Sequence, residues 1–311
     1  MLAGLLYLGS GLGLMVLRRF RRATPARLQS EERSWFIGAI IAGGVMGPAL
    51  FMSGLSAMPA SGAALLLNAE GVFTVLLAWF VFRENFDRRI AFGMAFIVAG
   101  TVVLSWPEEM RLGSVLPALS VLSACFAWAV DNNLTRKVSL SDASYIAMVK
   151  GLAAGTTNLL LALLAGAALP GAGVGLAAGV LGFLSYGVSL TLFVVALRHL
   201  GTARTGAYFC VAPFFGALLA IPLLGEAINT QLVIAGLLMA IGVWLHVTER
   251  HEHAHPHEAL EHTHQHEHDL HHQHDHDEAV LPGTRHTHTH RHGTLTHPHP
   301  HYPDAHHQHR H

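Results

Sequence analysis

Two stretches of the chain read almost alike: FTVLLAWFVFRE (residues 73–84) and FGALLAIPLLGE (residues 215–226). Each is an apolar run that ends in a glutamate, and each is followed by a short link and a second apolar run containing a glycine, Gly100 or Gly242. A constant offset of 142 residues aligns both the glutamates and these glycines. Matching leucines and alanines are common in membrane helices, whereas a matching loop glutamate and glycine indicate an internal repeat.

Around these stretches the chain forms nine apolar blocks joined by short polar links. Most blocks approach the ~20 residues that a helix needs to cross a hydrocarbon layer of roughly 30 Å. Helices satisfy their own backbone hydrogen bonds, which lipid cannot do, and only 13% of the residues are charged. The sequence therefore predicts an all-α membrane protein with nine transmembrane helices, at approximately 2–17, 35–56, 61–82, 89–105, 113–130, 143–165, 173–196, 204–224 and 231–248.

The basic residues of the links predict the orientation. Alternate links carry thirteen arginines and lysines, whereas the intervening links carry only Arg111. Basic loops stay in the cytoplasm, so we expect the N-terminus outside, the C-terminus inside and the chain in the cell (plasma or inner) membrane. The basic residues on the predicted cytoplasmic side are Arg18, Arg19, Arg21, Arg22, Arg27, Arg33, Arg83, Arg88, Arg89, Arg136, Lys137, Arg198 and Arg204.

The repeat and the orientation together predict two inverted halves, because Glu84 falls in a cytoplasmic link and Glu226 in an external one. We expect a first repeat of four helices at 1–106, a second of five helices at 107–248, and a tail at 249–311. Inverted repeats are typical of secondary transporters, whose substrate site lies between the halves near the middle of the membrane.

With these features the chain resembles the EamA-type permeases of the drug/metabolite transporter superfamily. The resemblance rests on the two helix–glutamate–helix endings, on GTARTGAYFCVAPFFGALLAIPLLGE (Gly201–Glu226) and on the inverted repeat. It implies a permease for a small organic metabolite. It also implies ten helices with both ends cytoplasmic, so this chain is expected to begin at the second of them.

Glu70 and Lys150 are the first candidates for a functional site, because ionisable residues within a membrane-spanning helix are rare and usually mark substrate or proton pathways. Glu70 is nine residues into its helix and Lys150 is seven residues beyond Ala143, depths of roughly 14 Å and 11 Å at 1.5 Å per residue. We predict a charge pair of Glu70 and Lys150 beside a central cavity, coupling transport to proton movement. The alternatives are a structural ion pair, or a Lys150 that extends to the membrane surface.

Five other residues complete the predicted cavity. Asn68 points about 200° away from Glu70 on the helix, whereas Asn158 falls near the face of Lys150 and either extends a polar stripe or bonds a neighbouring helix. Asp131 and the two asparagines after it are interpreted as a helix-ending cap or a cavity gate. Arg204 and Tyr208 share a face, where Arg204 either attracts an anionic substrate or faces lipid phosphates.

The tail after Arg250 carries 23 of the 25 histidines, largely in alternation, as in HTHTHRH. Neutral imidazole is a preferred ligand for zinc, copper and nickel, so we predict a disordered metal-binding tail, with zinc, nickel or cobalt as bound ions. If 249–268 instead continued the last helix, His253/His257 and His262/His266 would pair at four-residue spacing. The predicted ligands are His251, His253, His255, His257, His262, His264, His266, His268, His286, His288, His290 and His292.

Three readings of the tail remain open: a metal buffer or sensor, a pH sensor, and a solubilising segment. The pH reading follows from a charge of about −6 that protonation of the histidines near pH 6.5 would reverse. For the whole chain the first hypothesis is a secondary transporter, and the alternatives are a divalent-metal transporter and a membrane-anchored metal sensor. Nucleotide-binding and hydrolase motifs are missing from the sequence, so we do not expect an enzyme. The expected partners are lipid, a small-molecule substrate, metal ions at the tail and a second copy of the chain in a homodimer. No nucleic-acid partner is expected.

Overall fold

A computed structural model of the chain describes residues 1–21, 28–84, 88–106, 115–225 and 228–248, together with the backbone of four short segments of the tail. The helices, numbered in chain order, are α1 Leu2–Phe20, α2 Ser30–Ala39, α3 Gly47–Leu55, α4 Ala60–Leu67, α5 Ala69–Leu76, α6 Arg88–Ser105, α7 Val115–Lys137, α8 Ala143–Leu164, α9 Ala172–Gly182, α10 Ser189–Phe209, α11 Ala212–Leu224 and α12 Thr230–Val247. Three π-helical segments continue α2, α5 and α9, at Ile40–Met46, Leu77–Val81 and Phe183–Val188.

Eight continuous helices among the described residues are long and apolar enough to cross a membrane. One of them, Ala172–Phe209, is divided at Gly201, whose φ of 77° and ψ of 172° are not helical. A positive φ favours glycine because it has no Cβ to clash. The predicted helix 204–224 corresponds to the end of α10, which the chain enters after the turn at Gly201, and to the shorter apolar helix α11. Large apolar side chains on the outside of the bundle, such as Phe80 and Leu164, are exposed, as lipid-facing residues would be.

The two halves match at the predicted offset of 142 residues. The last helices of the halves are Arg88–Ser105 and Thr230–Val247, whose first and last residues both differ by 142. The π-helical segments Ile40–Met46 and Phe183–Val188 match to within one residue at the same offset. This agreement of irregular elements supports the predicted repeat more strongly than the apolar sequence matches do.

Equivalent helices of the two halves pack against each other in opposite directions. Arg89 at the start of α6 donates to the Leu245 carbonyl at the end of α12 at 3.1 Å, and a Cβ on Gly93 would lie 2.9 Å from the Gly242 carbonyl. The helices α1 and α8 are likewise antiparallel, since Gly4 contacts Leu159 and Gly11 contacts Leu152. The halves are therefore inverted, and small residues let their backbones approach closely.

The tail contains four strands, β1 Glu252–His257, β2 Glu261–His266, β3 His286–Arg291 and β4 Leu295–Pro300. They form two antiparallel pairs, β1 with β4 and β2 with β3. The helical alternative for 249–268 is wrong, because α12 ends at Val247 and the next described segments are extended, as expected where Pro256 cannot continue a helix. The four segments also differ from the predicted disorder; the rest of the tail, including His251, His268 and His292, lies outside the described residues.

Candidate functional site: a charged cavity between the two repeats

A cavity of about 490 Å³ lies between helices of the two repeats. Its charged residues are Glu70, Asp131 and Lys150, and its lining extends to Ala3 and Met52 near the ends of their helices. The side chains on which its chemistry depends are Tyr7, Glu70, Trp128, Asp131, Asn132, Lys150, Tyr186, Phe193 and Phe209. The volume lies in the range of small-molecule sites, which are largely apolar with a few placed polar groups.

Lys150 pairs with Asp131, not with Glu70. The Nζ atom of Lys150 lies 2.6 Å and 2.8 Å from the two carboxylate oxygens of Asp131 and donates to the hydroxyl of Thr135 at 3.0 Å. The Thr135 hydroxyl also donates to Asp131 at 2.8 Å. The predicted Glu70–Lys150 pair is therefore wrong, and so is the alternative of a Lys150 that extends to the membrane surface, because only 3% of the residue is exposed.

Asp131 is also not a helix cap. The helix α7 continues to Lys137, because Asp131 and Asn133 find their hydrogen-bond partners inside the bundle. The amide of Asn133 donates to the Thr74 and Ala129 carbonyls at 3.1 Å and 2.9 Å. A polar triplet can thus lie within a transmembrane helix when each member faces a partner or a cavity.

Glu70 lies in the first turn of α5, directly after the break between α4 and α5. Its carboxylate accepts a hydrogen bond of 3.3 Å from the amide of Asn132, which also donates to the Thr74 hydroxyl at 3.2 Å. Among the described residues, Glu70 takes part in no ion pair with a lysine or arginine. Glu70 and Asn132 line both the large cavity and an adjoining one of about 320 Å³.

Two broken helices meet at the smaller cavity. Asn68 stands at the break between α4 and α5, where its amide donates to the Leu65 carbonyl at 3.0 Å. Cys210 stands at the equivalent break between α10 and α11, again 142 residues later. A Cβ on Gly71 would lie 2.1 Å from the Cys210 sulfur, so the two breaks are in contact. Transporter sites are typically built from such discontinuous helices.

The π-helical segment Ile40–Met46 presents backbone carbonyls to neighbouring helices. The indole of Trp128 donates to the Gly43 carbonyl at 3.1 Å, and the amide of Asn158 donates to the Gly44 carbonyl at 2.6 Å. Asn158 therefore bonds a neighbouring helix, which was one of its two predicted roles, and it is absent from the lining of the described cavities. π-helical segments occur often at functional sites.

Arg204 and Tyr208 do not line either of the two described cavities. Arg204 is 2% exposed, so it neither faces lipid phosphates nor reaches the cavity. Tyr208 packs edge-on against His246, with 5.5 Å between ring centroids. The face that these two residues share is turned into the helix bundle, since Arg204 is buried and Tyr208 contacts His246 of α12.

Charged contacts join segments at one end of the bundle, which we call the basic end: residues 18–21, 83–84, 88–89, 136–142 and 198–203. Glu84 pairs with Arg136 at 3.0 Å and accepts hydrogen bonds from the Thr202 and Ala203 amides at 2.7 Å and 3.0 Å. These amides begin the helix after Gly201, where a carboxylate is stabilised by the helix dipole. Glu84 of the first repeat thereby holds the start of a helix of the second.

Two further contacts join helices at the basic end. Arg198 donates to the carbonyls of Ser139 and Ser141 at 2.7 Å and 2.8 Å. Arg18 pairs with Asp142 at 2.7 Å. Burial disfavours the charged form of Asp142, but hydrogen bonds from Arg18, Ser144 and the Tyr145 amide outweigh it and hold the pKa of Asp142 below its usual value. The cavity lining extends away from this end, toward Ala3 and Met52.

Several site residues were not predicted from the sequence. Tyr7, Trp128 and Tyr186 line the cavity, but a lone aromatic residue in a membrane helix carries no distinguishing signal. Glu84 was noticed only as a marker of the repeat, and Arg136 only as a basic link residue. For Glu84 and Arg136 the sequence did contain a signal, because these two residues have opposite charges and lie in links on the same predicted side of the membrane.

Within the part of the bundle that the structure describes, no group of three or more histidine, cysteine, aspartate or glutamate side chains could hold a metal ion. Cys125 and Cys210 are free thiols. The chain is thus a multi-pass membrane protein of two inverted repeats around a charged cavity, which is the architecture of a transporter.

The chain belongs to the EamA-like transporter family, whose model matches residues 1–106 and 115–248. This confirms the resemblance found in the sequence. A protein of known crystal structure has the same fold, with a TM-score of 0.70 at 20% identity over 79% of this chain and 88% of that chain.

Three relatives illustrate the similarity. An uncharacterized transporter of Methanothermobacter thermautotrophicus is 30% identical over 229 residues, 71% of this chain and 66% of its own length, just under two thirds. A probable amino-acid metabolite efflux pump of Salmonella typhimurium is 36% identical over 85 residues, covering 27% of the pump. A probable 4-amino-4-deoxy-L-arabinose-phosphoundecaprenol flippase subunit of Pseudomonas fluorescens is 32% identical over 102 residues, 89% of its length.

Proposed function

We propose that the protein is a secondary active transporter that moves a small organic metabolite by alternating access of its two inverted repeats. The observation that carries the proposal is the charged cavity between the repeats, bordered by two broken helices in contact at Gly71 and Cys210. The name of the Salmonella typhimurium relative, a probable amino-acid metabolite efflux pump, is consistent with a small organic cargo.

Within this proposal Glu70 is the coupling residue and the Asp131–Lys150 pair shapes the cavity. Glu70 faces both cavities and has a single hydrogen-bonding side-chain partner, Asn132, among the described residues. Its carboxylate is therefore the group best able to exchange a proton for a substrate. Lys150 and Asp131 neutralise each other, so their contribution is to hold α7 against α8 and to leave the charge of Glu70 in place.

The test is uptake of a panel of amino acids and other metabolites into proteoliposomes, with and without a pH gradient. We expect a solute whose flux depends on the gradient and is lost in Glu70→Gln. Glu31→Gln, which neutralises an exposed glutamate of α2, is the matched control and should keep the flux. Flux that is unchanged in both Glu70→Gln and Lys150→Met would refute the assignment of these residues.

Alternating access requires a state that is shut at the basic end and open at the other end. We infer that Glu84, through Arg136 and the amides after Gly201, holds this end shut while the cavity opens toward Ala3 and Met52. Loss of the carboxylate in Glu84→Gln removes the charge that both partners use. The variant should therefore spend more time open at the basic end.

Cys210 offers a native probe of this motion, because it lines the smaller cavity, whereas Cys125 is buried and can be replaced by alanine. A membrane-impermeant thiol reagent is applied to vesicles of each orientation. We expect Cys210 to react faster from the Ala3 side in the parent protein, and Glu84→Gln to raise its reactivity from the basic end. Equal reactivity from both sides in both proteins would contradict the proposed closure.

We further propose that the tail binds zinc, nickel or cobalt, which regulates the bundle or buffers the ion. The pairing of β2 with β3 supports this, because it sets His262 opposite His290, His264 opposite His288 and His266 opposite His286. Calorimetric titration of zinc into the full chain and into residues 1–250 tests the proposal. We expect zinc binding only with the tail present; equal binding by both proteins would refute it.

A further inference from the structure

The charges of the larger cavity do not balance. Its described lining contains two carboxylates, Glu70 and Asp131, and one ammonium, Lys150. With all three ionised the lining carries one net negative charge. A ligand that enters this cavity therefore meets a site that favours a positive group.

Lys150 has no hydrogen-bond donor left for an anionic ligand. An ammonium has three N–H groups, and those of Lys150 are matched by the two Asp131 oxygens and the Thr135 hydroxyl. Lys150 is also buried, so an anion could reach it only by displacing Asp131, a competing carboxylate already in place. The lysine therefore neutralises Asp131 and does not provide an anion site.

Glu70 has acceptor capacity to spare. A carboxylate offers about four lone-pair positions, and the described side chains fill one of them with the 3.3 Å bond from Asn132. Because that donor is a neutral amide, the charge of Glu70 is not compensated by it. A ligand ammonium beside Glu70 would supply both the missing donors and the missing charge.

Aromatic rings surround the same space. Tyr7 and Tyr186 lie with ring centroids 4.8 Å apart, and Phe193 and Phe209 lie 5.3 Å apart; all four line the cavity. The faces of aromatic rings attract organic cations and also pack against apolar groups. The wall therefore suits a molecule that combines a positive head with an apolar body.

We propose that the substrate is an organic amine whose ammonium group binds the Glu70 carboxylate and whose apolar body packs between the tyrosine and phenylalanine pairs. This inference rests on the proposed transport function and names its substrate class. The ammonium and a proton compete for the same carboxylate, so one leaves Glu70 when the other arrives. Exchange of this kind links amine movement in one direction to proton movement in the other.

Matched ligands test the charge requirement directly. Phenethylamine, phenylacetate and 2-phenylethanol share one aromatic body and differ in charge, and a cyclohexyl series with the same three head groups varies the body. Binding to the purified full chain is measured by calorimetry. A hydrogen bond to a charged group predicts that each amine binds roughly 10- to 100-fold more tightly than its acid or alcohol.

Variants then locate the site. Glu70→Gln keeps an acceptor for Asn132 but loses the charge, so it should remove the preference for amines, whereas Glu31→Gln should keep it. Thermal unfolding of each variant verifies that it is folded before it is titrated.

The outcomes separate this inference from the transport proposal. Amines that bind no more tightly than the acids and alcohols, or that bind equally to Glu70→Gln, overturn the amine site even if proteoliposomes transport another metabolite. Amine binding that depends on Glu70 without flux of any solute upholds the site and overturns the transport function. Amine binding together with amine flux, both lost in Glu70→Gln, supports the two together.

Discussion

Removing Lys150 should destabilise the protein by leaving a buried carboxylate without its cation. Asp131 is 8% exposed and Lys150 3%, so neither charge is well solvated, and Asp131 keeps only its bond from Thr135. Breaking a buried ion pair from one side costs about 3–5 kcal/mol. We therefore expect Lys150→Met to lower the free energy of unfolding by that amount.

Neutralising both partners should restore most of the loss. In Asp131→Asn combined with Lys150→Met, the amide keeps a hydrogen bond to Thr135 and no charge is buried alone. Replacing a buried ion pair with neutral groups is often close to neutral in stability. The double variant should thus recover about 3–5 kcal/mol relative to Lys150→Met, and the coupling energy of the double-mutant cycle, which also includes the cost of Asp131→Asn alone, should be at least that large.

The assay is equilibrium unfolding in mixed micelles, monitored by tryptophan fluorescence, for the parent, the two single variants and the double variant. Thr135→Val is a useful reference, because it removes the two hydrogen bonds that Thr135 makes with Lys150 and Asp131 without removing a charge, and it should cost about 1–3 kcal/mol. A Lys150→Met variant that loses less than about 1 kcal/mol, or a double variant no more stable than the single, would refute the reasoning.

Three further perturbations follow from the structure. Gly93→Ala should destabilise the α6–α12 interface by roughly 1–3 kcal/mol through overpacking, seen as a lower melting temperature, whereas Gly216→Ala, with no atom within 4 Å of the added Cβ, should not. The pKa of Asp142 is lowered from its usual value of 3.8, so its ion pair with Arg18 stabilises the protein above pH 3.8 and this stabilisation is lost as the pH falls below that value. The difference in melting temperature between the parent and Asp142→Asn should therefore shrink from pH 6 to pH 3. A constant difference would contradict the pairing. Deletion of residues 251–311 should leave metabolite flux into proteoliposomes intact. Loss of this flux on deletion would contradict the prediction that the bundle transports the metabolite without the tail.

The sequence predicted the repeat because its signal lies in residues that membrane helices do not share by chance. Glu84 and Gly100 both have specific surroundings: Glu84 accepts bonds from the start of a helix, and a Cβ on Gly100 would meet the Ala235 carbonyl at 2.9 Å. The contacts of Glu226 lie outside the described residues. Positions with such constraints keep their residue type in both halves, so their spacing reveals the offset.

The partner of Lys150 could not be predicted, because depth in the membrane was known and direction around the bundle was not. The estimate of depth correctly brought Glu70 and Lys150 to one cavity. Choosing between two carboxylates at similar depth requires the packing angles of α5, α7 and α8. Asp131 was interpreted as a helix-ending cap or a cavity gate because it follows an apolar block, yet α7 continues through it to Lys137. Hydropathy marks where lipid-facing residues stop, and a helix that faces a cavity extends beyond that point.

Some of the helix irregularities had no signal in the sequence. The break at Asn68 and the segment Phe183–Val188 lie within apolar runs without a proline, whereas Pro213 lies in the first turn of α11 just after the break at Cys210 and Pro48 lies in the first turn of α3 just after Ile40–Met46. These irregularities are held by contacts between helices, such as Gly71 against Cys210 and Trp128 against the Gly43 carbonyl. They belong to the tertiary structure, so a single helix does not reveal them.

Uptake into proteoliposomes tests the central proposal most directly. Full-length protein, residues 1–250 and Glu70→Gln are compared with labelled amines, amino acids and sugars, and with zinc, nickel and cobalt. We expect flux of an organic solute that persists in residues 1–250 and disappears in Glu70→Gln. Flux confined to the metal ions and lost with the tail, or organic flux that is indifferent to Glu70, would contradict it.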